Sequence, residues 1–217
     1  MALKTSKIGV VRFLGTNCDE DVKKWVVSKS YEAEYLWFED QFNVNDFDKI
    51  IIPGGFSHGD YLRCGALAAQ TPVMKSIREF AKKEKPILGI CNGFQILCEA
   101  GLLPGALLRN DSLKFKDEWT ELKINQNKTA FSVGIETDQL IKLPIAHGEG
   151  KFFAESETLK KLQDNGQIWL TYKNNPNGSM LDIAGITNET KNVCGLMPHP
   201  ERALHSWMGS TDGMYFL

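Results

Sequence analysis

A cysteine stands between two glycines in the segment GICNG (89–93), where a predicted strand meets a predicted helix. This is the glycine–x–nucleophile–x–glycine pattern, with Cys91 in place of serine. A sharp strand-to-helix turn strains the backbone of the nucleophile, and flanking glycines let the turn close. The sulfur would then lie over a helix N-terminus, which favours the thiolate, and the backbone N–H of Asn92 could stabilise an oxyanion. The alternative is that Cys91 is a small buried apolar residue, as free cysteines commonly are.

The segment MPHPE (197–201) offers a base and an acid for such a nucleophile. Residues two apart in an extended segment face the same way, so the imidazole of His199 and the carboxylate of Glu201 can lie side by side. A nucleophilic cysteine needs a base within hydrogen-bond reach and a group that fixes the tautomer of that base. The alternative is a surface histidine in a proline-rich turn. The presence of Cys91 favours the catalytic interpretation.

Two glycine-rich loops, PGGFSHGD (53–60) and IAHGEG (145–150), could approach the same place. Loops at the carboxyl ends of parallel strands form the ligand crevice of open α/β sheets. Glycines there, such as Gly54 and Gly55, let the backbone approach a small substrate and donate N–H groups to it. The histidine of each loop can approach the same crevice. The alternative for the first loop is an ordinary turn at the end of a strand.

The elements that must position these residues follow an α/β pattern. Buried, mostly β-branched strands are predicted at 8–13, 33–38, 49–53, 86–90, 184–187 and 193–197. A helix is predicted that runs to about Ser28, with Asn17 and Asp19 as candidate caps, and further helices are predicted at 71–84, 92–100 and 156–164. Strands near 119–125 and 167–172 predict a small antiparallel addition. We therefore expect an open, mostly parallel sheet flanked by helices, in a single domain over 1–217 because the sequence has no repeat or linker.

Composition and the missing motifs exclude several functions. The net charge is −2 and no basic patch is present, so no nucleic acid partner is expected. No apolar run approaches the ~20 residues that span a bilayer, so no membrane partner is expected. The five cysteines are widely spaced without a C-x-x-C pair, which indicates reduced thiols in the cytoplasm and no metal site. Neither a phosphate-binding loop nor a dinucleotide fingerprint occurs, so no cofactor is expected in this chain.

The residues CNGFQ (91–95) and HPE (199–201) resemble the class I (triad) glutamine amidotransferases, whose sheet is flavodoxin-like. Within that class the chain is similar, along nearly its whole length, to the glutaminase subunits of phosphoribosylformylglycinamidine synthase, the PurQ type. Matching stretches include PGGFSHGDYLRCGALAA (53–69), PIAHGEGKF (144–152) and GLMPHPER (195–202). The first of these and the asparagine after the nucleophile are more specific than the triad.

The resemblance implies a role for each matching residue. Cys91 would be the nucleophile, His199 the base and acid, and Glu201 the group that orients it. The resemblance implies that the backbone N–H groups of Gly55 and Asn92 stabilise the oxyanion. It implies that glutamine is bound by Gln95, Gly54, His147 and Gly148. The implied partners are a PurL-type synthetase and a small PurS-type protein. ATP and Mg²⁺ would be used by the synthetase, which would convert formylglycinamide ribonucleotide to the amidine.

The sequence departs from this family at a few positions. Leu14 and Thr16 stand where proline and serine are usual, His58 replaces an aromatic residue, and the chain ends at Leu217, earlier than many members. Three alternatives stay open: a glutaminase that serves GMP or imidazole glycerol phosphate synthesis, a non-catalytic binding module of the same fold, and another cysteine hydrolase or chaperone on a similar sheet. The segment 53–69 favours the PurQ type over the first.

Overall fold

The computed structural model describes residues 6–217, and its regular elements alternate between strands and helices along the first half of the chain. The strands are β1 (Lys7–Arg12), β2 (Glu32–Trp37), β3 (Lys49–Ile52), β4 (Ile87–Ile90), β5 (Ala106–Leu108), β6 (Lys116–Ile124), β7 (Leu140–His147), β8 (Lys151–Phe153), β9 (Ile168–Tyr172), β10 (Ile183–Thr187) and β11 (Val193–Leu196). The α-helices are α1 (Asp19–Ser28), α2 (Val73–Lys82), α3 (Asn92–Glu99) and α4 (Ser156–Asp164). None of these helices has the length and apolar character needed to cross a bilayer.

Nine of these strands form one sheet in the order β2-β1-β3-β4-β11-β10-β9-β6-β7. The first five strands pair in parallel, and the remaining pairings are antiparallel. Strands β3 and β4 at the centre of the parallel part are apolar and almost wholly buried, as expected for strands covered on both faces. The predicted α/β fold with an antiparallel addition is confirmed, and β5 and β8 form a separate small antiparallel pair.

The sequence did not predict β7, which carries Pro144 in its middle. Proline cannot donate a ladder hydrogen bond and therefore argues against a central strand. The structure resolves this conflict, because β7 is the last strand of the sheet and pairs only with β6. An edge strand tolerates proline because one side of its backbone needs no partner.

Helix α1 begins where the sequence predicts, but no side chain caps it. The carboxamide oxygen of Asn17 accepts the S–H of Cys18 at 3.3 Å. The carboxylate of Asp19 pairs with Arg12. The predicted caps are therefore wrong, because Asn17 is engaged by Cys18 and Asp19 by Arg12 at the end of β1.

The topology brings four chain segments to one edge of the sheet. The segments that follow β1, β3, β4 and β11 all leave from the carboxyl ends of neighbouring parallel strands. They contain Cys18, the loop 53–60, Cys91 and His199. This is the edge at which ligands bind in open α/β sheets.

Helix α3 packs against this edge with almost no space between backbones. A Cβ atom added to Gly93 would lie 2.0 Å from the carbonyl oxygen of Ile52, and one added to Gly89 would lie 2.6 Å from the carbonyl oxygen of Gly93. No real Cβ atom approaches a carbonyl oxygen so closely. The two glycines of the GICNG segment therefore set the distance between α3 and the central strands.

We predict that Gly93→Ala lowers the free energy of unfolding by about 3 kcal/mol or more, because the new methyl group must push α3 away from β3. Gly148→Ala is the matched control, since its new Cβ would only touch Phe115 at 3.8 Å. That control should stay within about 0.5 kcal/mol of the wild type. Urea denaturation followed by circular dichroism measures both, and equal midpoints for the two variants would contradict the prediction.

Candidate active site

Cys91 has the backbone conformation of a nucleophile at a sharp turn. Its φ is 50° and its ψ is −105°, between the end of β4 and the start of α3. Its N–H donates to the carbonyl oxygen of Leu196 at 2.8 Å, which ties the turn to β11. The side chain is 6% exposed, and its sulfur lies 3.6 Å from the carbonyl oxygen of Ala146. The thiol thus faces the carboxyl end of β7.

His199 and Glu201 are in direct contact. The Nδ1 atom of His199 lies 2.6 Å from the Oε1 atom of Glu201, and both side chains are buried. Nδ1 therefore donates to the carboxylate, which leaves Nε2 as the free ring nitrogen; Nε2 has no hydrogen-bond partner. The backbone N–H of His199 donates to the carbonyl oxygen of Pro144 at 2.9 Å and fixes the turn.

Opposing effects act on the charge of His199. Burial by itself lowers the pKa of the imidazole, because it removes the cation from water. The negative charges of Glu201 and Cys91 and the nearby sulfur of Cys18 outweigh burial and raise the pKa well above its ordinary value. The imidazole is therefore held as a cation next to the sulfur of Cys91. Such a cation favours a nucleophilic thiolate.

Gly54 makes room for this arrangement. A Cβ atom at this position would lie 2.8 Å from Cε1 of His199, 3.1 Å from the sulfur of Cys18 and 3.4 Å from Cβ of Cys91. Any side chain here would push the imidazole away from the thiol. Cys18 belongs to no motif in the sequence, and its position shortly after the first strand is the one signal that places it at this edge of the sheet.

Two cavities meet at Cys91. The larger, of about 370 Å³, is lined by several of the predicted residues, among them Cys91, Gly55, Gln95, His147 and Gly148. A second cavity of about 220 Å³ shares Cys91 and Gly55 with the first and also contains His199. The nucleophile therefore faces a pocket of amino-acid size on one side and the base on the other.

The side chain of Asn92 organises one wall of the larger pocket. Its carbonyl oxygen accepts the N–H of Ser57 at 3.1 Å, and its amide donates to Gln95 at 2.8 Å and towards Asp60 at 3.4 Å. Gln95 in turn donates to the carbonyl oxygen of Glu149 at 2.7 Å. One N–H and one lone pair of the Gln95 amide remain for a ligand. As the first residue of α3, Asn92 also has a backbone N–H without a partner inside the helix.

The loop after β7 is held by buried amides. Asn110 accepts from the Nδ1 atom of His147 at 3.1 Å and from the N–H of Gly150 at 3.1 Å, and Asn177 lies 3.5 Å from the Nε2 atom of His147. Burial, followed by the charge of His199, lowers the pKa of His147 to about 4. His147 is therefore neutral at physiological pH, and its ring holds the loop in place.

The far end of the larger pocket carries charged residues that the sequence analysis did not identify. Asp60 is half-buried, and burial together with the charge of Glu149 raises its pKa. Burial also raises the pKa of Cys64, which lies between these carboxylates and stays a neutral thiol. Arg109 lies 3.7 Å from Glu149 at the exposed rim. The only signal for these residues in the sequence is their position in the loops that follow β3, β5 and β7.

His58 does not approach the thiol. Its ring packs edge-on against Phe38, at 5.1 Å between ring centroids, and against Phe13, at 6.1 Å. It lines neither cavity at Cys91. The expectation that this histidine approaches the crevice is wrong, because its positive φ of 52° turns the side chain towards the aromatic residues that follow β1 and β2.

Comparison with known proteins gives one consistent result. Residues 5–213 match the family model of the CobB/CobQ-like glutamine amidotransferase domain. A phosphoribosylformylglycinamidine synthase subunit PurQ of Prochlorococcus marinus is 54% identical over 212 residues, which cover 97% of this chain and 95% of that protein.

Solved structures agree with this match. A chain of PurLQS from Thermotoga maritima superposes with a TM-score of 0.90 at 42% identity, covering 97% of this chain and 95% of that chain. A glutamine amidotransferase of the same organism superposes with a TM-score of 0.60, covering 93% of this chain and 78% of that one; at 19% identity this shows the fold alone. The chain belongs to the family of CobB/CobQ-like glutamine amidotransferase domains and, within it, to the PurQ-type subunits of phosphoribosylformylglycinamidine synthase.

Proposed function

We propose that this chain is the glutaminase subunit of phosphoribosylformylglycinamidine synthase. It hydrolyses glutamine to glutamate and ammonia. The ammonia passes to a PurL-type synthetase, which uses ATP and Mg²⁺ to make formylglycinamidine ribonucleotide from formylglycinamide ribonucleotide in purine biosynthesis. The observation that carries the proposal is the strained thiol of Cys91 beside the buried pair of His199 and Glu201, in a chain 54% identical to a PurQ subunit.

The reaction proceeds through a thioester. The thiolate of Cys91 attacks the side-chain amide carbon of glutamine, and the imidazolium of His199 protonates the departing ammonia. Water then attacks the glutamyl thioester, with neutral His199 as the base that takes its proton. Proton transfer by a positioned side chain contributes about 10²–10⁴-fold to such a step. Glu201 keeps Nδ1 protonated, so that Nε2 is the nitrogen that exchanges the proton.

The tetrahedral intermediate needs donors for its oxyanion. We assign this role to the backbone N–H groups of Gly55 and Asn92. Gly55 lines both cavities beside Cys91, and Asn92 lies at the N-terminus of α3, where the helix dipole also favours negative charge. One such donor contributes about 10²–10³-fold to the rate.

Glutamine would enter the larger pocket with its amide at Cys91 and its α-end at the charged rim. The carboxylates of Asp60 and Glu149 would attract the α-ammonium group, and the amide of Gln95 has hydrogen-bonding capacity left for the α-end. Gly148 and His147 supply the wall on the side of the β7 loop, and Gly54 leaves the backbone open beside the thiol.

The ammonia must reach the synthetase before bulk water protonates it, which requires a partner over the pocket mouth. Leu113, which lines the larger pocket, is 75% exposed, and Leu62, which is 84% exposed, lies in the chain between the pocket residues Asp60 and Cys64. Exposed apolar groups at a rim are typical of a docking surface. We assign this surface to the synthetase and its small PurS-type partner.

We also propose a cytoplasmic location, since all five cysteines are free thiols.

We predict that Cys91→Ala abolishes glutamine hydrolysis, because no other group at this position can form the thioester. In the complex with the synthetase, the ammonia-dependent reaction should continue at its ordinary rate. Ammonia release and product formation are measured with glutamine and with ammonium chloride as alternative donors. Cys98→Ala, on the same helix but outside both cavities, should retain the glutamine-dependent rate. Loss of both reactions in Cys91→Ala would mean that Cys91 is structural.

A second prediction concerns Glu201→Gln. The neutral amide no longer stabilises the imidazolium, so the pKa of His199 falls. Because protonated His199 is the acid that releases ammonia, activity is lost as pH rises through that pKa. The alkaline limb of the kcat profile should therefore move to lower pH, with kcat reduced by about 10²-fold or more. A profile that only drops in height, without shifting, would argue that Glu201 does not act through His199.

A third prediction tests the docking surface. Leu62→Asp places a charge in the exposed segment between the pocket residues Asp60 and Cys64 and should weaken binding to the synthetase at least about tenfold. Val133→Asp is the matched control: Val133 is 51% exposed, in a loop that contacts the start of β3 at the opposite edge of the sheet. Isothermal titration calorimetry with the synthetase measures both. Equal affinities for the two variants would place the docking surface elsewhere.

A further inference from the structure

The thiol of Cys18 is buried beside the triad, and the proposed reaction does not use it. The residue is 2% exposed and lies between β1 and α1. Its N–H donates to the carbonyl oxygen of Gly54 at 3.2 Å, and its carbonyl oxygen accepts the N–H of Val22 at 3.0 Å, so its backbone is fixed between the glycine loop and α1. Buried free cysteines commonly only fill apolar space. The surroundings of this one are polar.

A charged side chain holds the sulfur of Cys18. The Nη2 atom of Arg202 donates to it at 3.2 Å, and the Nε atom of Arg202 lies 3.4 Å from the carboxylate of Asp21 in the first turn of α1. The S–H group of Cys18 donates to the carboxamide oxygen of Asn17 at 3.3 Å. A charged donor strengthens a hydrogen bond, which matters for an acceptor as weak as sulfur. The thiol is therefore oriented, with its proton turned to Asn17 and its lone pairs left to accept.

The sulfur held in this way lies beside the imidazole of His199. The Sγ atom of Cys18, a ring nitrogen of His199 and a carboxylate oxygen of Glu201 all lie within 4.8 Å of one another. A Cβ atom on Gly54 would meet both groups, at 3.1 Å from the sulfur and 2.8 Å from Cε1 of the ring, so sulfur and ring pack side by side over that glycine. Because burial removes water from the imidazole, its protonated form depends on electron-rich neighbours such as this sulfur.

We propose that Cys18, held by Arg202, is a positioning residue for His199 in addition to Glu201. Glu201 fixes the ring through Nδ1. The sulfur of Cys18 stabilises the protonated ring and limits its movement in the cavity of about 220 Å³ that Cys18, Cys91 and His199 line together. Arg202 acts through the sulfur, as the group that holds it in place. This inference rests on the proposed glutaminase reaction, in which protonated His199 releases ammonia.

The elements packed around His199 bring several titratable or charged side chains near it. These are Glu201 and Arg202 in the turn after β11, Cys91 before α3, Cys18 before α1, His147 at the end of β7 and Asp117 in β6. Burial lowers the pKa of the imidazole, and Glu201, Cys91 and then Cys18 raise it above its ordinary value. Removal of the sulfur of Cys18 leaves the triad itself intact, so the pKa of His199 should fall by less than it does in Glu201→Gln.

Glutaminase kinetics of Cys18→Ala test the role in the reaction. Loss of the sulfur should lower kcat about tenfold, because the ring is held less firmly. The alkaline limb of the kcat profile should move to lower pH, since activity is lost as pH rises through the lowered pKa of His199. The KM for glutamine should change less than about twofold, because Cys18 lines the smaller cavity at Cys91 and not the larger one.

Cys18→Ser is the conservative variant for the same measurement. Its hydroxyl oxygen can still accept from Arg202 and face the ring, so it should recover most of kcat and the position of the alkaline limb. A merely structural role would lower the stability of Cys18→Ala without moving the limb. A Cys18→Ala variant with an unshifted limb and an unchanged kcat would overturn the proposal.

Arg202→Met tests whether the guanidinium acts through the sulfur. It should lower kcat about fivefold in the wild type and have no further effect in Cys18→Ala, because the group that Arg202 positions is then absent. Glu20→Gln is the matched control: Glu20 lies next to Asp21 in α1 but pairs with Arg12 at 3.1 Å, so kcat should stay at the wild-type value. Full additivity of Arg202→Met and Cys18→Ala would overturn the role of Arg202.

An NMR titration of the imidazole tests the contact without relying on activity. The chain has four histidines, and the Cε1–H signal of His199 is the one absent from His199→Gln. The pKa from this signal should fall in Cys18→Ala and return towards the wild-type value in Cys18→Ser. An unchanged pKa in Cys18→Ala would overturn the proposal even in a chain that hydrolyses glutamine. A lowered pKa in a chain without glutaminase activity would refute the proposed function and leave the support of His199 by Cys18 standing.

Discussion

Cys91 holds a backbone conformation that ordinary residues avoid, and the surrounding structure is built to enforce it. A non-glycine residue in such a region costs about 1–3 kcal/mol. Contacts with the strands on both sides of β4 offset that cost. The N–H of Cys91 donates to the carbonyl oxygen of Leu196 in β11, and the backbone of Gly93 lies directly against Ile52 in β3. Because the turn is anchored to three strands, the thiol has one position, and both cavities are arranged around it.

Burial has opposite consequences for the two histidines near this thiol. His147 has only amide partners and is neutral, with a pKa lowered to about 4. His199 has a carboxylate at 2.6 Å, and its pKa is raised despite deeper burial. The contrast follows from the partner, because a carboxylate stabilises the cation and an amide does not. One histidine can therefore exchange protons at physiological pH while the other supports a loop.

Much of this protein could be predicted from the sequence alone. The buried apolar runs and glycine punctuation predict the parallel half of the sheet and its helices, since these patterns depend on local periodicity. The segment GICNG predicts the strained turn because its chemistry is local. The sequence predicts that His199 and Glu201 lie side by side in an extended segment, and the structure makes their contact in a tight turn instead, because Pro200–Arg202 form a short 3-10 helix.

Only the tertiary structure decided which distant residues meet. Cys18 and Asp60 are far apart in the sequence and carry no local signal, and both reach the site because β1 and β3, which they follow, end at one edge of the sheet. Arg109 follows β5 of the separate small pair and reaches the rim of the larger pocket from there. His58 lies in a loop at this edge of the sheet, but its positive φ directs its ring towards Phe38 and away from the thiol of Cys91. The strand that contains Pro144 became possible only because it lies at an edge. Features that depend on neighbouring residues can therefore be predicted from the sequence. Which distant side chains come together depends on strand order, and their protonation depends on burial and on the partners they meet.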